Sequence, residues 1–183
     1  MNGHHLILGE CRDYLSGKAL ADTHDERYRQ TLAKFLVEKR GFKKSDLESR
    51  RELTVSAGDK CALIRIDLSV VLENRLAMIV RYGPGSLVTR HRPSIAASRL
   101  LTPYQIPVVV VTNGEDADIL DGKTGQVIAH GLQSIPSRQA LSTQIRNQKL
   151  QLITDESIER EQRILYAYDV DDSCPCDDTV CRL

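Results

Sequence analysis

Apolar and polar positions along this chain follow two alternating periods. "THDERYRQTLAKFLVEKRG" (23–41) puts Tyr28, Leu32, Phe35 and Leu36 on one stripe, the spacing of an amphipathic helix. Thr23 followed by Glu26 has capping-box spacing at its start, and Lys39, Arg40 and Gly41 close it. "SRRELTVSA" (49–57) and "CALIRIDLSVVL" (61–72) read as strands around a "GDK" turn, with Cys61 as a core residue. In the second strand Ile64, Ile66, Leu68, Val70 and Leu72 alternate with Arg65, Asp67 and Ser69, a period of two. "ENR" (73–75) then turns the chain into "LAMIVRY".

Beyond the "GPGS" loop, Pro93 is placed just inside the start of a helix through "SIAASRLL" that Pro103 stops. "QIPVVVVT" is apolar throughout, as a strand buried on both faces should be. "NGEDADILDGKTGQVIAHG" predicts a hairpin turning at Thr124–Gly125, and helical patterns follow at 137–148 and 156–169. The order of helix, three meandering strands, helix and strand predicts an α/β sandwich around a mixed sheet. If the hairpin turn centres on Asn74, Leu72 faces Leu76, Val70 faces Met78, Leu68 faces Val80 and Ile66 faces Tyr82. Ser69 then faces Ile79, and Asp67 faces Arg81.

With 183 residues, 41% of them hydrophobic, the chain suits one domain with its own core. That core spans about 15–130, a helical extension about 131–170, and a cysteine-bearing tail 171–183. No apolar run approaches the roughly 20 residues that span a bilayer, so no membrane partner is expected. The N-terminus lacks the basic region and cleavage site of a signal peptide, which predicts a cytoplasmic protein. There its cysteines are free thiols or metal ligands rather than disulfides.

Formal net charge is zero, but unevenly spread. Between Asn74 and Gly114 no acid occurs, while Arg75, Arg81, Arg90, Arg92 and Arg99 do, with His91 beside them. The window reads either as a positive face for phosphates or as surface arginines whose partners lie elsewhere in sequence. Arg90, Arg92 and Arg99 are its candidate nucleic-acid contacts. Gly83 and Gly85 in "YGPGSLVTRHRPS" allow close backbone approach beside a helix N-terminus, although the G-K-[ST] of a P-loop is absent.

Four of these motifs, taken in order, resemble the N-terminal nuclease-fold domain of type I restriction enzyme R subunits, in the PD-(D/E)xK, restriction-endonuclease-like superfamily. They are "DERYRQTLAKFLVEKRGF", "IRIDLSVVL…LAMIVRYGPGSL", "RPSIAASRLL" and "PVVVVTNGEDADILD", covering roughly Leu15 to Ile128. The resemblance implies an αβββαβ core and a Mg²⁺ ion held by a strand aspartate and the acid of an E-x-K, whose lysine activates water. Carried over, the aspartate is Asp67, an additional helix acid is Glu26 and the lysine position is Arg81. The E-x-K acid falls on Ile79, so an endonuclease motif is present but incomplete. Asp67 with Glu26 would supply two carboxylates to Mg²⁺; Arg81 would hold a phosphate but not act as a base. Glu26 as a helix cap and Asp67–Arg81 as a cross-strand ion pair are the structural alternatives. The glutamine-then-tyrosine pattern of the relatives' second helix is missing; only Tyr104–Gln105 lies nearby. DNA, or RNA, and protein partners from a restriction or defence system are the implied partners, with a protein-interaction or metal-binding module as the alternative function.

"CPCDDTVC" groups Cys174, Cys176 and Cys181, and Cys11 precedes the first helix. Four thiolates complete a tetrahedral Zn²⁺ or iron–sulfur ligand set. The layout is similar to that of related nucleases whose one early and three late cysteines hold a [4Fe–4S] cluster; a free acidic tail is the other reading.

Overall fold

Thr23 opens the first helix as its spacing predicts, in a computed structural model that describes residues 7–171 and 180–183. Its hydroxyl accepts the Glu26 backbone N–H at 3.1 Å, and helix α1 (His24–Arg40) ends where Gly41 turns left-handed at φ 76. Ahead of it stands a short antiparallel hairpin, β1 (Glu10–Arg12) and β2 (Ala19–Ala21). Strands of three residues carry no periodicity, which is why the sequence pattern does not announce them.

The sheet follows: β3 (Leu47–Ala57), β4 (Lys60–Leu72), β5 (Arg75–Tyr82), helix α2 (Val88–Leu100), β6 (Val108–Thr112), β7 (Ala117–Asp121) and β8 (Val127–His130). Helices α3 (Arg138–Asn147) and α4 (Asp155–Leu165) come next, α4 running on as a wider π-helical turn over Tyr166–Asp171. The strands lie in the order β3-β4-β5-β6-β7-β8, and β9 (Val180–Arg182) joins β4 where β5 has left it. Among the described residues only the β5–β6 pairing is parallel, with α2 as the crossover. The result is a mixed α/β body, a mixed sheet flanked by helices. Leu32 and Leu36 of α1 and Leu141 and Ile145 of α3 cover one face. Ile95 and Ala96 of α2 and Leu165 of α4 cover the other.

Three local outcomes depart from the sequence pattern. The β4–β5 turn consists of Glu73 and Asn74, both left-handed at φ 53 and 59, so Leu72 pairs with Arg75 rather than Leu76. A bulge between Val70 and Val71 absorbs the offset, and Val70–Met78, Ser69–Ile79 and Leu68–Val80 pair as expected. Helix α2 begins at Val88, five residues before the proline taken as its start, and carries Pro93 inside. Cys61 is exposed near the start of β4, not core.

A further departure shapes the site. Leu68, Val70 and Leu72 pack towards α1, yet Ala62, Ile64 and Ile66, at the same parity, pack towards α2. β3 does likewise: Leu47 joins the α1 face, Leu53 and Val55 the α2 face. The pairs Ser49–Leu68 and Arg51–Ile66 flank the change, and Arg50 between them is left-handed at φ 53. Both strands therefore turn their side chains over at one rung. Ile66 and Tyr82 consequently end on opposite faces, not side by side as the hairpin pattern implied.

Candidate functional site

That reversal carries Asp67 to the α1 face. Its Oδ2 accepts the Tyr82 backbone N–H at 2.9 Å, and its Oδ1 accepts Nε of Arg29 at 3.2 Å. Arg29 is one turn beyond Glu26 on α1, and its other guanidinium arm is hydrogen-bonded to Glu26 Oε2. Gln30 donates to Glu26 Oε1 at 2.6 Å, and Arg50 adds a bond to Oε2 at 2.9 Å. The Glu26, Arg29 and Asp67 side chains are only 1%, 3% and 5% exposed. Glu26 and Asp67 do converge, then, but a guanidinium stands between them. Thr23 needs only the Glu26 backbone as a cap partner, which leaves the carboxylate free for this network.

Arg81 does not join them. It points to the opposite face and pairs with Asp169 at 2.6 Å, beyond the end of α4. The cross-strand Asp67–Arg81 ion pair expected from the hairpin is thus replaced by two separate ones. The reversal at Asp67 is the physical reason, since β5 alternates regularly from Met78 to Tyr82 while β4 turns over opposite that stretch. Ile79 faces away as well, into the α2-side core. On Asp67's own face β5 offers Val80 and Tyr82, neither an acid nor a lysine. Sequence reasoning overlooked Arg29, Arg50 and Tyr82. The Glu26–Arg29 spacing was the one legible signal, and it reads equally as an exposed helical ion pair.

A divalent cation does not fit the pocket so formed. The two carboxylates that would ligate it are already bonded to Arg29, and Arg50 adds a second positive charge against Glu26. Among the described residues no group of three or more His, Cys, Asp or Glu is arranged to hold a metal. Cys11 sits half-buried on β1, its thiol pushed up by burial and the nearby Glu26 and Asp22 charges. Cys181 is exposed on β9, while Cys174 and Cys176 lie outside the described residues.

Arg81, Arg92 and Arg99 of the acid-free window find carboxylates from later in the chain. Glu161 of α4, fully buried, takes Arg92 at 2.6 Å and Arg99 at 2.8 Å. Burial alone would raise the Glu161 pKa, but the hydrogen bonds and charges of Arg92 and Arg99 prevail and lower it. His91 meets Asp118 at 2.7 Å. Arg90 instead lies along the 83–86 loop, donating to the Pro84 carbonyl at 3.4 Å.

A family model described as the type I restriction enzyme R protein N terminus matches residues 24–136. This covers most of the chain, and the protein belongs to that family. No curated protein and no solved structure matches it.

Proposed function

We propose that this member of the type I restriction R-protein N-terminal family is a restriction-endonuclease-like domain that associates with nucleic acid without cutting it. Its metal-dependent phosphodiesterase centre is depleted, and an internal ion pair stands in the metal's place. One observation carries this reading: Arg29 is bonded at once to Glu26 and Asp67. Two-carboxylate nuclease chemistry needs those oxygens for a cation that polarises the phosphate and lowers the pKa of water. A guanidinium supplies charge but no open coordination position, and its pKa is too high for it to act as a base. With Val80 and Tyr82 opposite Asp67, no side chain of β5 replaces the missing acid or lysine. The domain would act in the cytoplasm; no helix among the described residues is long and apolar enough to cross a membrane.

Plasmid and single-stranded substrates incubated with Mg²⁺ or Mn²⁺ test the reading. Wild type should cut no faster than Asp67→Ala. Metal-dependent cleavage that Asp67→Ala abolishes would overturn it.

A second reading, docking on another protein of a restriction system, draws on the Glu161 clamp, which neutralises Arg92 and Arg99 from within. Salt separates the two: phosphate binding weakens steeply with ionic strength and tolerates sequence change.

A further inference from the structure

The carboxyl ends of β5 and β6, a parallel pair, lie at the end of the strands where α/β sheets commonly gather ligands. There Tyr82, the last residue of β5, stacks on Tyr28 of α1 with ring centroids 5.1 Å apart and planes 23° from parallel. Tyr82 is the inner ring. Burial, then the charge of Asp25, pushes its hydroxyl up to about 12, so it stays a neutral phenol. Tyr28 is the outer ring and is 41% exposed, an open aromatic face beside a buried charge network. The chain keeps space for it: a Cβ at Gly114, which is also left-handed at φ +92, would stand 2.6 Å from the Tyr28 ring.

Arg90, in the first turn of α2, lies at the same end of the sheet. Its guanidinium lies against Gly83, close enough that its charge is felt at Tyr82. Unlike Arg81, Arg92 and Arg99, it reaches no carboxylate among the described residues; its one bond is the long contact to Pro84. An open aromatic ring beside an arginine not satisfied by acid is the pairing that single-stranded nucleic acid uses, base on ring and phosphate on cation.

Resting on the reading of this domain as nucleic-acid-associated, we infer that Tyr28 and Arg90 form a subsite for one unpaired nucleotide. Its base stacks on Tyr28 and its phosphate meets Arg90. Stacking is indifferent to base identity, so the preference is for an unpaired nucleotide rather than for a sequence.

Fluorescence anisotropy with a short oligothymidylate, an oligouridylate and a blunt duplex, at low salt, tests this. Wild type should bind an oligonucleotide more tightly than the duplex. Tyr28→Ala should weaken that binding about 5- to 100-fold, the span of one base stack, while Tyr28→Phe keeps it within about twofold. Arg90→Ala should weaken it and lower the salt slope by about one. Thermal melting confirms that the variants fold. Duplex binding indifferent to Tyr28 would overturn the subsite and leave the non-cutting, nucleic-acid-associated reading standing. Binding to none of the three would overturn both.

Discussion

On the α1 side of the sheet one arginine lies between two acids; on the α2 side one acid lies between two arginines of α2, with Arg160 of its own helix at 3.5 Å. Glu26–Arg29–Asp67 and Arg92–Glu161–Arg99 are near mirror images in charge, and both are buried at their centres. They differ in reach. All members of the first lie inside the matched segment 24–136, so that cluster belongs to the family domain itself. The second needs Glu161, from the second helix after that segment, and works as a clamp holding α4 against α2. They differ also in solvent. Arg29 has no route to water, whereas the Arg92 side chain is 39% exposed and can hydrate if its partner is lost. A closed cluster is intolerant of losing one charge; an open one is forgiving.

The largest effect should therefore follow Arg29→Met, which leaves Glu26 and Asp67 buried and facing each other with only Arg50 to compensate. Breaking a buried pair on one side costs on the order of 3–5 kcal/mol, read as a fall in the denaturant midpoint. Adding Glu26→Gln and Asp67→Asn to Arg29→Met should recover much of that loss, since neutral groups of similar shape no longer demand a counter-ion. A single substitution that is nearly neutral would mean that the cluster is open, and the contrast between the faces would fail.

Glu161→Gln should cost less, about 1–3 kcal/mol, because Arg92 can turn to water while Arg99 keeps a neutral acceptor. The pH dependence sharpens this. The Glu161 carboxyl titrates below its ordinary range in the folded protein, with Arg92 and Arg99 outweighing the cost of its burial. A depressed carboxylate contributes stability that is fully present above its unfolded pKa of about 4.3 and is lost as pH falls through the lower, folded value. Acid titration followed by circular dichroism should show a shallower loss of stability in Glu161→Gln than in wild type over that window. Parallel curves would place the acid-sensitive group elsewhere.

How much of this was legible depends on which interaction decides each element. Local chemistry was: Thr23 and Gly41 bound α1, and the alternating run ending at Leu72 gives the β4–β5 hairpin with its central pairs Val70–Met78 and Leu68–Val80. So was the convergence of Glu26 and Asp67. The reversal at Asp67 was not, because β4 is buried on both faces there. Apolar residues at 64, 66, 68 and 70 read as one face whether or not the strand turns over. That hidden step put Asp67 and Arg81, which the hairpin pattern sets side by side, on opposite faces. Arg29 was invisible for a related reason: arginines are seldom buried, and nothing local distinguishes one bonded to two acids from one in water. The acid-free window carried the opposite ambiguity, and tertiary pairing with Glu161, Asp169 and Asp118 resolved it for all but Arg90 among its central residues.

The smallest effect probes the reversal that separates the two faces. Arg50 is left-handed at φ 53 on the rung where β3 and β4 turn over, and its side chain, 30% exposed, reaches Glu26 at 2.9 Å. A non-glycine residue in that conformation costs roughly 1–2 kcal/mol, which glycine removes. Arg50→Gly also gives up the bond to the buried Glu26 carboxylate and frees the unfolded chain by about 0.5–1 kcal/mol, so the informative comparison is with Arg50→Ala. Arg50→Ala loses the same pair while keeping the strained backbone, so it should be less stable than Arg50→Gly by roughly 0.5–1 kcal/mol. In an ordinary strand the order is the reverse, alanine above glycine by a similar amount. The sign of the difference is therefore the measurement. Glycine above alanine requires a left-handed rung, and with it the turn-over that brings Asp67 to Arg29. Alanine above glycine would return β3 and β4 to regular alternation, send Asp67 to the face of Arg81, and reopen the carboxylate pair that Arg29 closes.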